Sequence, residues 1–399
     1  MHFEKLVRKQ LLGPARRSAT RVSGPPDPEM ISLAAGDPNF LLPDYIAKAV
    51  DEAIRKGQTH YCFGGDPELK QEIAKYYSKY GYKTDASQVS ITAGGSESIL
   101  KSYAAILNEG DEVIAFDPAY SGGTMVPPYF GAKTVFAPLM KREDGFFDFD
   151  EESLKKAISP KTKALYMENP GNPSGKVYGE KECKIIADLA KDHDFVVVSD
   201  ETYTEFIWTG AEHFPIIKLP EMENRTIVSM AMTKMFAWAG MRTGWVITGP
   251  ELNEYVGRAP GAGASWPIQR GCLVGLRDGY QFVLDMRQEY KERISYAVKR
   301  FNEMPGVKCP HPEGAFYPFP DVTGTGMTDV EFVNRLTQEA KVRAVAGSSY
   351  GAGHGAGNVR FSMIRPLSTT KMQSWFEHKK GMMLEDAMDR IEKFVLAHP

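Results

Sequence analysis

Cysteine is scarce in this chain of 399 residues: there are four, and Cys62, Cys183, Cys272 and Cys309 stand far apart with no CxxC spacing. That pattern argues against a zinc site and against a disulfide framework, and the thiols read as reduced, mostly buried groups of a cytoplasmic protein. His60, His193, His213 and His311 are scattered, without the helix spacing a metal needs, so no metal is expected. Excess charge of one sign is also missing. A net charge of −3 with well-mixed signs provides neither a basic stripe for nucleic acid nor an acidic tail. No run approaches the roughly 20 apolar residues of a membrane helix. The stretch Met1–Gln10 breaks its apolar positions with charges, lacks the uninterrupted core of a signal peptide and reads as an amphipathic arm. Neither nucleic acid nor a membrane is expected as a partner. Repeats and low-complexity tracts are absent apart from the glycine-rich Gly347 to Gly357, which lies between two strand-like runs and reads as a tight active-site loop.

What is present is an alternation of helical and β-branched segments of the α/β kind. Helical periodicity is clear in Ile46 to Lys56, Glu68 to Tyr80, Glu97 to Leu107, Lys181 to His193 and Asp285 to Asn302. Short strands are expected at Glu112 to Phe116, Ala164 to Met167, Phe195 to Ser199, Thr226 to Met230 and Trp245 to Thr248. After about Tyr280 the pattern changes to a long helix, short strands and a terminal helix at Leu384 to Leu396. We therefore expect a large domain at 38–280 with a mostly parallel sheet. A smaller C-terminal α/β domain is expected at 281–399, with residues 1–37 packing against it and a joint at Gly24-Pro25-Pro26-Asp27-Pro28.

Lys234 follows the apolar run Thr226-Ile227-Val228, where a buried cation is costly. It is expected either to snorkel or to serve as a neutral amine, and such an amine can form a Schiff base with an aldehyde cofactor. Asp200 ends the strand Phe195-Val196-Val197-Val198-Ser199, where its carboxylate could pair with a pyridinium nitrogen. Taken alone, the lysine reads as a surface residue and the aspartate as a helix cap. Three further segments change the weight. Glu168-Asn169-Pro170-Gly171-Asn172-Pro173-Ser174-Gly175 follows a strand and places the Asn172 amide at its carboxyl end. Ser90 to Ser98 reads as strand, glycine turn and helix start, so free N–H groups and the helix dipole make an anion site. Arg242 adds a fixed guanidinium fork suited to phosphate. These parts together point to pyridoxal phosphate.

In order and spacing, these motifs resemble the fold-type I, aspartate-aminotransferase-like family of pyridoxal-phosphate enzymes. The resemblance runs from Leu33-Ala34-Ala35-Gly36-Asp37-Pro38-Asn39-Phe40 to Val359-Arg360-Phe361-Ser362. It implies a three-layer α/β fold and a homodimer with shared active sites. The implied activity is transfer of the amino group of an L-amino acid to a 2-oxo acid, by a ping-pong route through a Lys234 aldimine. Lys234, Asp200 and Tyr203 would be catalytic. Gly95, Ser96, Thr233 and Arg242 fall on phosphate-binding positions, Tyr120 on the ring-stacking position, and Asn172 and Tyr203 on donors to the phenolate oxygen. Tyr61 is similar to the tyrosine that reaches the phosphate from the partner subunit. Arg360, with Gly36 and Asn172, would bind the substrate, Arg360 gripping its α-carboxylate. Two positions depart from the family: Ala231 stands where a phosphate-binding serine is common. Ser96 matches a lysine that binds a second carboxylate in one branch, so dicarboxylate specificity is not expected by that route. Other chemistry on the same scaffold, a lyase, decarboxylase or oxidase, uses the same cofactor motifs. A cofactor-sensing regulator would need a DNA-binding module, and only about 35 residues precede the first motif. Trp208 and Trp245 read as packing residues, Trp266 as pocket lining or dimer packing, and Arg365 as a structural arginine with a second carboxylate as the minority role.

Overall fold

The computed structural model describes residues 7–8, 27–375 and 381–398. Apart from Val7 and Arg8, the expected amphipathic arm lies outside these residues, as does most of the proline-rich joint. At the centre is a sheet of seven strands: β1 (Val89–Thr92), β2 (Glu112–Asp117), β3 (Lys133–Pro138), β4 (Thr162–Glu168), β5 (Val196–Asp200), β6 (Thr226–Ala231) and β7 (Gly244–Ile247). Their spatial order is β1-β7-β6-β5-β4-β2-β3. Every pair is parallel except the two made by β7, which runs antiparallel to β1 and to β6. A parallel sheet needs helices on both faces, and its strands are apolar on both sides for that reason.

The two faces are separated by alternation along each strand. Val113, Ala115, Ala164, Tyr166, Val198 and Ile227 point to one face, where they meet Ile99, Tyr103 and Ile106 of the helix Gly95–Ile106. Ile114, Leu165, Met167 and Val197 point the other way and pack on Ile186, Ala187 and Ala190 of the helix Glu180–Asp192. Each large aliphatic side chain buried in this way contributes roughly 1.5–3 kcal/mol. The same parity carries on to the strand ends: Glu168 lies two residues beyond Tyr166, and Asp200 two beyond Val198. Both carboxyls therefore emerge on the Gly95–Ile106 face, and they are register partners across β4 and β5.

A separate apolar cluster is built mainly from residues 286–395, with Tyr290, Phe316, Phe361 and Met388 at its heart. Ile31, Leu33 and Phe40 belong to it. Ile31–Ser32 pairs in parallel with Val342–Arg343, and Leu33 and Ser362 are joined by a backbone bond of 2.7 Å. Tyr203 and Phe206, just after β5, also enter this cluster and so tie it to the end of the sheet.

The strands expected from the sequence are present to within two residues, but Lys133–Pro138 was not foreseen. It is an edge strand whose side chains are mostly half-buried, and its apolar run Val135-Phe136-Ala137 is short and closes on a proline. The long helix begins at Tyr280 rather than Asp285, because the residues from Tyr280 to Leu284 continue its turns although only Val283 among them is buried.

Candidate active site

Eleven of the expected site residues line one cavity of about 480 Å3: Gly36, Gly95, Ser96, Tyr120, Asn172, Asp200, Tyr203, Thr233, Lys234, Arg242 and Arg360. That size suits a small-molecule ligand. The cavity opens at the carboxyl ends of β4, β5 and β6, where open α/β sheets bind ligands.

At one end stands the start of the helix Gly95–Ile106. Its cap residue Gly94 has φ 86° and ψ 171°, a conformation closed to other residues, and no side chain caps the first turn. The N–H groups of Gly95 and Ser96 are thus available to an anion, and the helix dipole adds to the pull. Arg242 lies beside this turn. Its Nη1 donates to Ala239 O (2.8 Å) and its Nη2 to Ala93 O (3.2 Å). A Cβ on Gly94 would sit 2.5 Å from Arg242 Nη2, so the arginine lies against the bare glycine backbone. Thr233 contributes a hydroxyl, and Ala231 lines the wall without one.

In the middle lie Asp200 and Lys234. Asp200 is 6% exposed; its Oδ1 accepts from Thr202 N (3.2 Å) and Thr202 Oγ1 (2.6 Å), and its Oδ2 from Tyr166 Oη (3.2 Å). Burial pushes its proton affinity up, and these three donors pull it back. Lys234 sits in the short helix Met232–Met235 just past β6, and its Nζ donates to the Gly36 carbonyl. Burial is the largest influence on this amine and lowers its pKa from 10.5 to about 8, with Arg360 and Arg242 acting in the same direction and Asp37 and Asp200 opposing them.

At the other end Arg360 is 6% exposed. Its Nη1 donates to Asn172 Oδ1 (3.0 Å) and its Nη2 to the Ala34 carbonyl. The guanidinium carbon lies 4.4 Å from the centroid of the Tyr317 ring and 5.4 Å from that of Tyr350. Because Asn172 Oδ1 is taken by Arg360, its Nδ2 is the group left to donate elsewhere. Tyr203 Oη and Tyr317 Oη are 2.8 Å apart. A Cβ on Gly36 would overlap Tyr317 Oη, which explains a glycine there.

Against known proteins, the model of the family described as "Aminotransferase class I and II" matches residues 28–374. The chain belongs to the class I and II aminotransferases. It is 36% identical over 374 residues to an aspartate aminotransferase of Pyrococcus horikoshii, covering 92% of this chain and 90% of that one. It is 35% identical to the aromatic-amino-acid aminotransferase 2 of Thermococcus litoralis, covering 91% of each. The crystal structure of an aromatic aminotransferase from Pyrococcus horikoshii superposes with a TM-score of 0.83 at 32% identity, over 92% of this chain and 96% of that one. This aminotransferase therefore moves amino groups between small amino and oxo acids. Among its described residues no helix is long and apolar enough to cross a membrane.

Several residues of this aminotransferase's cavity escaped the sequence reading as site residues. Glu168 opens the turn motif that carries Asn172; the residue is 7% exposed and lines the cavity, and its carboxyl accepts from Tyr120 N (3.1 Å) and Asn172 N (3.4 Å). Tyr317, Tyr350 and Ser349 also line it. For Ser349 and Tyr350, though not for Tyr317, the available signal is the glycine-rich loop: Gly351 lies against Asp117 at the end of β2, which fastens the loop bearing Tyr350 over the sheet. Tyr61, Trp266 and Arg365 do not line the cavity of their own chain. Tyr61 is 87% exposed and stacks on Phe63, itself 89% exposed, at 5.5 Å. Trp266 Nε1 donates to Oδ2 of Asp66 (3.0 Å), the residue that caps the helix Pro67–Ser78.

Proposed function

We propose that this aminotransferase takes the amino group from an L-amino acid and passes it to a 2-oxo acid in alternating half-reactions, with pyridoxal 5'-phosphate as its cofactor. The donor set supports that group from end to end. The uncapped helix start at Gly95 and Ser96, Thr233 and Arg242 would hold the phosphate. Asp200 would keep a ring nitrogen protonated, Asn172 Nδ2 and Tyr203 would donate to the phenolate oxygen, and Tyr120 would stack on the ring. When bound, the cofactor supplies an electrophilic carbon and an electron-accepting ring.

The rest follows from the chain's own side chains. Arg360 would pair with the substrate α-carboxylate, and the aromatic faces of Tyr317 and Tyr350 hold its guanidinium in place. Lys234, whose pKa burial lowers to about 8, gives up its proton far more readily than an exposed lysine. Its Nζ would take the proton from the substrate Cα, the bond whose breaking defines transamination.

Tyr61 would reach the phosphate of the partner subunit, making the enzyme a homodimer with shared sites. The exposure of Tyr61 and Phe63 supports that arrangement. The distinct apolar cluster of residues 286–395 supports the division near residues 37 and 280 into two domains. Four free thiols suit a cytoplasmic setting.

The observation that carries the reading is Lys234: a desolvated amine sharing one cavity with a buried carboxylate and a buried guanidinium. Borohydride reduction of the holoenzyme followed by peptide mapping tests it. The reduced cofactor is expected on Lys234, and its recovery on any other lysine overturns the assignment.

A further inference from the structure

Glu168 is a buried acid to which the proposed chemistry gives no part. It ends β4 directly opposite Asp200 of β5, and both carboxyls lie on the same face of the sheet. Neighbouring strands are about 4.8 Å apart. Glu168 and Asp200 are each less than a tenth exposed, and the charge of Asp200 acts on Glu168, so the two do not both ionise readily near neutral pH. Neither makes an ion pair with another side chain among the described residues.

Their hydrogen bonds differ. Asp200 has three donors spread over both oxygens. Glu168 has two backbone N–H groups, both on Oε2, so Oε1 is the oxygen left to carry a proton. The tyrosines whose titration Glu168 influences are Tyr166, Tyr178, Tyr203, Tyr317 and Tyr350. Burial pushes all five phenols upward, so they stay neutral. Asp200 is then the charged anion beside Glu168 and Arg360 the charged cation. The two carboxyls compete for one proton, and burial and Asp200 push that of Glu168 well above the usual carboxylate range.

We propose that Glu168 is a positioning residue that carries the pair's single proton on Oε1. As a neutral acid it keeps Asp200 the one buried anion on this side of the cavity, while Oε2 ties the backbones of Tyr120 and Asn172 together. This rests on the reading of Asp200 as the partner of a ring nitrogen. The consequence is electrostatic: ionised Glu168 would add a second negative charge, making Lys234 more basic and weakening the hold of Arg360 on an anionic substrate.

Infrared spectroscopy of the holoenzyme reads the proton directly. The wild type at pH 7 should show the carbonyl stretch of a protonated carboxylic acid that is missing from Glu168→Gln. In Asp200→Asn that band should survive only to a lower pH, because the neighbouring charge is gone. Glu168→Leu leaves the N–H groups of Tyr120 and Asn172 without that acceptor and should weaken cofactor binding about tenfold. Glutamine should restore most of that loss while removing the fall in kcat/KM at alkaline pH that ionisation of Glu168 produces in the wild type. Absence of the protonated-acid band from the wild type overturns the proposal, as does its survival to the same pH in Asp200→Asn. Equal impairment of the glutamine and leucine variants also overturns it, since a required negative charge would then be the explanation. The lysine-mapping experiment is independent of this band, so failure of the cofactor assignment and failure of the proton assignment are told apart.

Discussion

Arg242 and Arg360 both present a guanidinium to the cavity, yet the first is exposed and held by backbone carbonyls alone, whereas the second is 6% exposed and held by the Asn172 amide, the Ala34 carbonyl and two aromatic faces. The difference lies in how many groups share each task. Around Arg242 the helix start and Thr233 offer further donors to an anion, and water screens the charge. Around Arg360 water is excluded, and no second cation replaces it among the described lining residues at that end. A buried charge-assisted hydrogen bond is strong because its surroundings offer nothing else.

The comparison would break if the two arginines proved equally costly to remove. Arg360→Ala should lower kcat/KM for the amino donor by about 100- to 1,000-fold, as expected for loss of one partner of a desolvated charge pair. Most of that loss should appear as a raised KM, measured in steady-state assays with saturating cofactor. Arg242→Ala should raise the cofactor dissociation constant only about tenfold, in line with a partly screened charged hydrogen bond. Titration of the cofactor-free enzyme measures it, and a loss as large as that at Arg360 would show that the exposed end is not shared among donors.

Lys234 sharpens the contrast, since it is a third cation of the cavity and, unlike the arginines, can give up its charge. Its pKa is about 8 in the folded chain against 10.5 when exposed. Below pH 8 both the folded and unfolded chains hold this proton, and the buried cation costs stability. Between pH 8 and 10.5 the folded chain releases its proton first, so stability rises with pH. Above that range the penalty is gone. Lys234→Met should therefore stabilise the cofactor-free protein by about 1 kcal/mol at pH 7, a value discounted for water in the cavity. The gain should vanish by about pH 10.5, as urea midpoints across the pH range would reveal. A gain that persists unchanged at high pH would mean the effect is packing rather than charge.

Much of this site was legible before folding because each part is local. Asp200 ends a strand of β-branched and apolar residues, Asn172 and Lys234 follow the ends of two others in short turns, and Gly94-Gly95-Ser96 is a turn into a helix whose free N–H groups are a property of any helix start. Period and turn chemistry suffice to read such features. The edge strand Lys133–Pro138 is harder to read, because its apolar run Val135-Phe136-Ala137 is short and ends at Pro138, and a proline weakens a strand reading.

What the sequence by itself determined is the set of chemical groups and the strand ends that present them. Only the tertiary structure decided how they face one another. Arg360 turns the Asn172 amide by claiming its oxygen across 188 positions of chain. Tyr317 occupies the space left by the missing side chain of Gly36. Glu168 becomes a cavity acid beside Asp200 through the parallel register of β4 and β5. Local propensity acts over a few residues, whereas these contacts arise from strand pairing and close packing between distant segments, and packing is where a buried carboxyl finds out whether it keeps its proton.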